Sequence, residues 1–220
     1  MIGRVALALL AVSLVAGAAE MPRPETYRAA ADEGRTGEIE GRAYAERRTP
    51  DAADAPLSGM VVTLVPMSHG LVAESEEIKA HARDSLRSYR EAAGRVKLLQ
   101  QGYEWALWRQ GAGDLLLSST VGGDGSFAFG RVPAGQWLLI GRREQATAVK
   151  PRKREGKVPF DLSPQMVGYS TASFWLVPVT VAAGLTTIVD LTDRNAWYTG
   201  VIERLQGPRL PSVLRRPGAR

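Results

Sequence analysis

The sequence predicts a mainly β chain interrupted by one long helical insertion. Three observations carry this. Apolar residues alternate at period two in Phe127/Phe129, in Trp137/Leu139 and again through Trp175, Val177, Val179 and Val181, which is the pattern of half-buried strands. Glycine and proline punctuate these runs, at Gly122, Gly123 and Gly125 and at Pro133-Ala134-Gly135. From about Ala73 to Arg109 the period becomes helical: Ile78, Ala82, Leu86, Tyr89, Ala93, Val96, Gln100, Tyr103 and Leu107 fall three and four apart.

The chain opens with Met1-Ile2-Gly3-Arg4, an apolar run from Val5 to Val15 and a small-residue exit over Ala16–Ala19. A basic start, a short apolar core and small residues are the marks of a secretory signal peptide, here residues 1–19. The run is shorter than the roughly 20 residues a membrane span needs, and no later segment approaches that length, so no transmembrane segment is expected after signal removal. The expected location is outside the cytoplasm, periplasmic or extracellular. The chain has no Cys, so its stability rests on a packed core rather than disulfides. Its formal charge of +5 is mildly basic.

Residues 20–37, rich in Ala, Pro and charge, read as a flexible lead segment. A strand-rich domain follows over 38–204. Its first strand, Glu38–Arg48, places Ile39, Gly41, Ala43 and Ala45 on one face. Thr49–Ser58 is a loop, and Met60–Pro66 is a β-branched, central strand. The helical insert occupies about 73–109. Gly94 and Gly102 each cost up to about 1 kcal/mol there and mark the expected places for a break. A strand from Leu115 to Thr120 re-enters the sheets. The stretch Thr120–Leu139 reads as a strand through Phe127 and Phe129, a turn at Pro133-Ala134-Gly135 and a strand through Trp137 and Leu139, a hairpin or a sandwich corner. Glu144–Ser163 is a basic loop, Phe174–Val181 a strand, and Thr186–Leu191 a returning strand with Ile188, and with it Val189, turned inward. Trp197–Ile202 is the last strand, and 205–220 is a disordered basic tail.

The stretch Asp124-Gly125-Ser126-Phe127-Ala128-Phe129 followed by Val132-Pro133-Ala134-Gly135-Gln136-Trp137 resembles the T-D-x-x-G-x-F-x-F…(L/V)-P-x-G-x-Y-x-L pattern of carboxypeptidase regulatory-like domains. Val179–Leu191 is similar to the last strands of the same domains, and Gly41–Ala43 and Leu57–Leu64 match more weakly. The match spans roughly residues 36–202. It departs from the pattern in a loop one residue longer and in Val121 standing where the first Asp would be. The resemblance implies a transthyretin-like (Ig-like) β-sandwich, related to Cna-B-like and starch-binding-like folds. It implies the β-domain that accompanies some carboxypeptidases, and not their catalytic domain.

No residue set for catalysis stands out, and the expectation is a protein that is not an enzyme and has no cofactor. His69 and His81 are the only histidines, in no H-E-x-x-H spacing, which leaves a zinc hydrolase without ligands. Neither a G-x-S-x-G elbow nor a phosphate-binding G-x-x-x-x-G-K-[ST] loop occurs. Asp124 reads as a turn former rather than a calcium ligand. Asn195 is the only Asn and no Lys lies in the early strands, so the Lys–Asn isopeptide bond that Cna-B-like relatives often carry is not expected.

What remains are contact residues. Tyr103, Trp105 and Trp108 on the insert and Trp197 with Tyr198 near the last strand are candidates for stacking on sugar rings or anchoring a protein. Trp137 and Trp175 alternate with apolar neighbours and read as core. Lys150, Arg152, Lys153, Arg154 and Lys157 form a basic loop suited to an anionic polymer or surface. The function these readings favour is a structural or interaction module of the cell envelope that meets an envelope protein or an anionic or neutral polysaccharide. A carbohydrate-binding module is the alternative. Nucleic acid is not an expected partner of an exported chain.

Overall fold

A computed structural model describes residues 22–148 and 165–206. The expected signal peptide (1–19), the expected basic loop with Lys150–Lys157 and the residues beyond Gln206 lie outside the described residues. The elements in order are α1 (Pro24–Asp32), β1 (Thr36–Ala45), β2 (Ala55–Pro56), β3 (Val61–Pro66), α2 (His69–Ala80), α3 (Leu86–Arg109), a 3-10 turn (Gly113–Leu115), β4 (Leu117–Thr120), β5 (Ser126–Pro133), β6 (Gly135–Ala148), β7 (Gln165–Val181), β8 (Thr186–Thr192) and β9 (Tyr198–Gln206).

The strands form two sheets. The smaller has β1 at its centre, antiparallel to β5 on one side and parallel to β8 on the other, with short β2 pairing the end of β1. The larger runs β4-β3-β6-β7-β9, antiparallel throughout. Alternation along the strands aims Ile39, Ala43, Phe127 and Leu191 of the first sheet at Leu64, Trp137, Leu139 and Trp175 of the second, and these share one buried core. The architecture is a β-sandwich. Trp175 ties its sheets together, its indole N–H donating to the Thr192 carbonyl at 2.8 Å. Asn195 completes that tie: its side-chain oxygen accepts from Trp175 Nε1 at 3.1 Å and from the Thr192 N–H at 2.7 Å.

Of the two readings of the Ser126–Trp137 stretch, the corner holds. β5 pairs with β1 in one sheet and β6 pairs with β3 and β7 in the other, so the chain crosses between sheets at Ala134. Gly125 makes the turn into β5 at φ +87, a region that glycine enters without steric cost. Asp124 holds the same turn by accepting from the Ser126 N–H at 3.0 Å and the Ser126 hydroxyl at 2.8 Å.

The outer face of the larger sheet is also apolar and carries the helices as a third layer. Ala92, Ala93 and Val96 of α3 and Ile78 of α2 pack on Ala172 and Phe174 of β7, and Tyr103 and Leu107 belong to the main core. The insert is therefore two helices rather than one. It breaks at His81–Ser85, not at Gly94 or Gly102. Each helix begins at a serine cap: the Ser68 hydroxyl accepts from the Leu71 N–H at 3.2 Å, and the Ser85 hydroxyl from the Ser88 N–H at 2.9 Å. Gly94 and Gly102 stay helical, with nothing within 4 Å of where a Cβ would sit.

Other expectations are corrected. The flexible lead segment contains a helix, α1, which docks through buried Tyr27 and Ala30. Tyr27 packs edge-on against Trp137 at 4.9 Å between ring centroids, and its hydroxyl donates to the Gln136 carbonyl at 2.5 Å. Ile188 points outward, 67% exposed, because the alternation of β8 turns Val189 and Leu191 inward. The basic loop starts later than its composition indicates, because β6 runs on to Ala148 opposite Gly168 of β7. Likewise β9 reaches Gln206, into what reads as the disordered tail.

Candidate functional site

α3 packs its Ala93–Leu107 stripe on the sheet, and its flank is left standing over the open end of the same face. A cleft forms there. Its inner part, about 430 Å³, is lined by Gln100 and Glu104 from the helix and by Thr63, Ile140 and Arg142 from β3 and β6. Its outer part, about 510 Å³, is lined by Trp105, Trp108 and Arg109. Gln101 and Glu104 border both parts, so the two adjoin at these side chains.

The outer part is aromatic. Trp105 is 64% exposed and Trp108 57% exposed, and at three residues apart they are neighbours on the helix surface. Trp108 is seated on the turn that follows α3. The benzo ring packs directly against Gly113, where a Cβ would come within 2.7 Å of Trp108 Cδ2 and closer still to Cε3 and Cζ3. A side chain at 113 would push the ring out of this position.

The inner part is polar and charge-balanced. The Glu144 carboxylate sits 2.8 Å from Lys97 Nζ and 3.6 Å from Arg142 Nε. Burial raises the pKa of Glu104, and the positive charge of Arg142 partly offsets that shift. Gln100 is 2% exposed, and its side-chain nitrogen has no hydrogen-bond partner. A buried donor without an acceptor is unfavourable by about 1–3 kcal/mol.

The structure separates the candidate contact residues. Trp105 and Trp108 lie together on the cleft. Tyr103 does not join them and is corrected to a core residue: it is buried, and its hydroxyl donates to the Pro66 carbonyl at 3.0 Å. Burial drives its pKa well above the ordinary tyrosine value. The reason is helical phase, because Tyr103 continues the Ala93–Val96–Gln100 stripe and Trp105 sits two residues off it.

Trp197 and Tyr198 lie at the far end of the helical layer, not at this cleft. Neither is the free platform that alternation along a strand predicts. Trp197 precedes β9, its indole N–H donates to Glu76, and Lys79 Nζ stands 4.9 Å from its ring centroid. Tyr198 stacks on Phe174, with centroids 6.3 Å apart. The basic residues Lys150, Arg152, Lys153, Arg154 and Lys157 fall outside the described residues. Sequence reading missed Gln100 as a buried polar group and Glu104 and Arg142 as cleft residues. Gln100 did carry a signal, as the one polar member of an otherwise apolar stripe.

A broader groove of about 820 Å³ crosses the outer face of the smaller sheet beside Glu40, Arg42, Ile188 and Asp190. The only ring along it, Phe127, is buried, so it offers no stacking surface. Among the described residues no group of three or more His, Cys, Asp or Glu is placed to hold a metal ion. No helix among them is long and apolar enough to cross a membrane.

The fold and cleft define a class, a β-sandwich with a helical layer on one sheet. Comparison with known proteins takes this no further. No protein-family model matches the chain, and no curated protein matches it in sequence. Two solved structures are similar at low identity. One, from Pseudomonas aeruginosa, is described as a candidate carbohydrate-binding protein; it is 15% identical over 79% of this chain and 97% of its own, with a TM-score of 0.41. The other, the minor pilin of Streptococcus agalactiae, is 12% identical over 81% of this chain and 48% of its own, with a TM-score of 0.30.

Proposed function

We propose that the protein is an exported, non-catalytic binding module of the cell envelope that holds a carbohydrate in the cleft beside α3. The observation that carries this reading is the pair Trp105 and Trp108, exposed side by side on a helix edge that opens into a polar cleft. Indole rings present a flat apolar face, and the C–H face of a pyranose is its complement. The ring hydroxyls would then meet Gln101, Glu104 and Arg109 at the cleft border. The mixed charges inside suit a neutral sugar better than a strongly acidic polymer. The signal-like first 19 residues supply the export, and the resemblance to carboxypeptidase regulatory-like domains supplies a precedent for a non-catalytic β-domain.

A second reading has its own observation. Leu98, 68% exposed, stands on the same side of α3 as Trp105, two turns away. An apolar helix edge of this kind also suits a protein partner.

The test is retention of the full-length protein on purified envelope polysaccharides at low and high salt. Retention that survives high salt and is lost in Trp105→Ala and Trp108→Ala supports the sugar reading. Retention lost in salt and indifferent to both substitutions directs attention to the Lys150–Lys157 loop and an acidic polymer. Absence of retention at either salt concentration refutes the sugar reading for those polymers.

A further inference from the structure

We propose that the free edge of β8 pairs with the same edge of a second copy of this chain, joining the two smaller sheets into one. β8 pairs with β1 on one side and, among the described residues, with no strand on the other. The direction of its backbone groups follows from three bonds. The Leu185 carbonyl accepts from the Glu38 N–H at 2.9 Å, so the odd-numbered residues turn their backbone groups to β1. The even-numbered residues turn theirs outward, and at the end of the strand these are already held. Asn195 Nδ2 donates to the Asp190 carbonyl at 2.9 Å, and Asn195 Oδ1 accepts from the Thr192 N–H at 2.7 Å. The Asn195 side chain thus closes this end of the edge as a neighbouring strand would. Thr186 and Ile188 lie before that plug, and among the described residues no further backbone bond engages their outward N–H and carbonyl groups. Natural edges are commonly blunted by Lys, Pro or a bulge. Thr186–Asp190 contains neither residue, and its register with β1 runs unbroken.

A second copy is the occupant these features fit. An antiparallel two-fold pairing that sets Thr186 opposite Ile188 of the second copy satisfies all the open groups, each such pair exchanging two N–H···O=C bonds. A register with Ile188 opposite Ile188 brings Thr186 against Asp190, whose carbonyl Asn195 already holds. Even-numbered side chains lie on the solvent face, so each exposed Ile188 gains a β-branched neighbour across the seam and the other Ile188 on the diagonal. Asp190 falls outside the paired segment, so no like charges meet. The edge is its own complement in length, hydrogen bonding and charge. The two-fold axis stands normal to the joined sheet, so both helical layers lie on one side of the dimer. The pairing is independent of what the α3 cleft holds. Thr186–Asp190 from each copy is far less than the roughly 20–30 residues a side of a standard interface, so the dimer is weak, with a Kd of about 10–100 µM.

The experiment is sedimentation equilibrium of the full-length protein from about 5 to about 500 µM, a span set around that Kd. The expected result is monomer at the low end and dimer at the high end, with nothing larger, because an isologous contact closes on itself. Ile188→Pro removes the outward N–H and leaves the bonds to β1 in place. Ile188→Lys keeps the backbone intact and puts a charge at the seam. Each is expected to weaken dimerisation about tenfold or more, and urea unfolding of both variants confirms their fold. Monomer at every concentration overturns the proposal and leaves the edge to a strand of another protein. A dimer that persists unchanged in either folded variant, or a species larger than the dimer, overturns it as well.

Discussion

Gly41→Ala should destabilise the sandwich severely, because β1 is clamped on both sides at that residue. Gly41 lies opposite Phe127 of β5 and opposite Val189 of β8. A Cβ there would lie 2.6 Å from Phe127 Cε1, closer still to Phe127 Cζ, and in contact with the Val189 carbonyl oxygen. Neither neighbour gives way cheaply. Phe127 is buried and packs edge-on against Phe129 at 6.3 Å between centroids, and the carbonyl belongs to the backbone of a paired strand. Expelling the ring forfeits about 2–3 kcal/mol of burial, and straining β1 away from β8 adds about 1–2 kcal/mol. The expected total is about 3–5 kcal/mol, a fall in Tm of about 6–20 °C for a chain of this size. Urea unfolding followed by tryptophan fluorescence checks this, with a lower midpoint and an unchanged slope. The double variant Gly41→Ala/Phe127→Leu should recover part of the loss, since it removes the ring but not the carbonyl contact. A Gly41→Ala midpoint within error of the parent would refute the clamped arrangement of β5, β1 and β8.

Three further outcomes follow from particular contacts. Gly113→Ala is expected to displace the Trp108 ring, which is exposed and can move, so that unfolding stability changes by less than about 1 kcal/mol while retention on polysaccharide falls with that of Trp108→Ala; unchanged retention would refute the seating of Trp108 on Gly113. Tyr103→Phe leaves the buried Pro66 carbonyl without its donor and is expected to cost about 1–2 kcal/mol in urea unfolding. For Glu104 the folded-state pKa is raised by burial, so its contribution is favourable below the unfolded glutamic-acid pKa and is lost as pH rises through the folded value. Glu104→Gln is expected to match the parent at acid pH and to exceed it in stability at neutral pH, as read by Tm against pH.

The sheets were legible because burial on one face imposes period two, as in β1, β5 and β8, while β3, buried at both Leu64 and Val65, was legible from its β-branched run. The corner at Ala134 was legible as a turn but not as a change of sheet. Pairing partners depend on residues far apart in sequence, and Thr36–Arg42 is what captures β5. The length of β6 was illegible for a similar reason, since Arg143–Ala148 is polar and extended only through its pairing with β7. In the insert, the stripe predicted the buried face from Ala93 to Leu107, but Leu86 and Tyr89 at its start are exposed. The break went to the Ser85 cap because a capped N-terminus stabilises a new helix, whereas a glycine on an open helix face weakens the helix without ending it. Of the site, the exposed indoles were legible as unusual surface aromatics. The polar half was not, because Thr63, Gln100 and Arg142 meet only once α3 lies across the sheet.

The claim that the α3 edge is the binding face is tested most directly by the indole N–H signals of the five tryptophans in a 15N-labelled sample, followed while an envelope polysaccharide that retains the protein is added. The account predicts that the Trp105 and Trp108 signals shift and saturate together. The signals of Trp137 and Trp175, inside the sandwich, and of Trp197, bonded to Glu76, should stay in place. Saturable binding that moves Trp197 and leaves Trp105 and Trp108 unshifted would contradict it, and would put the binding face at the opposite end of the helical layer.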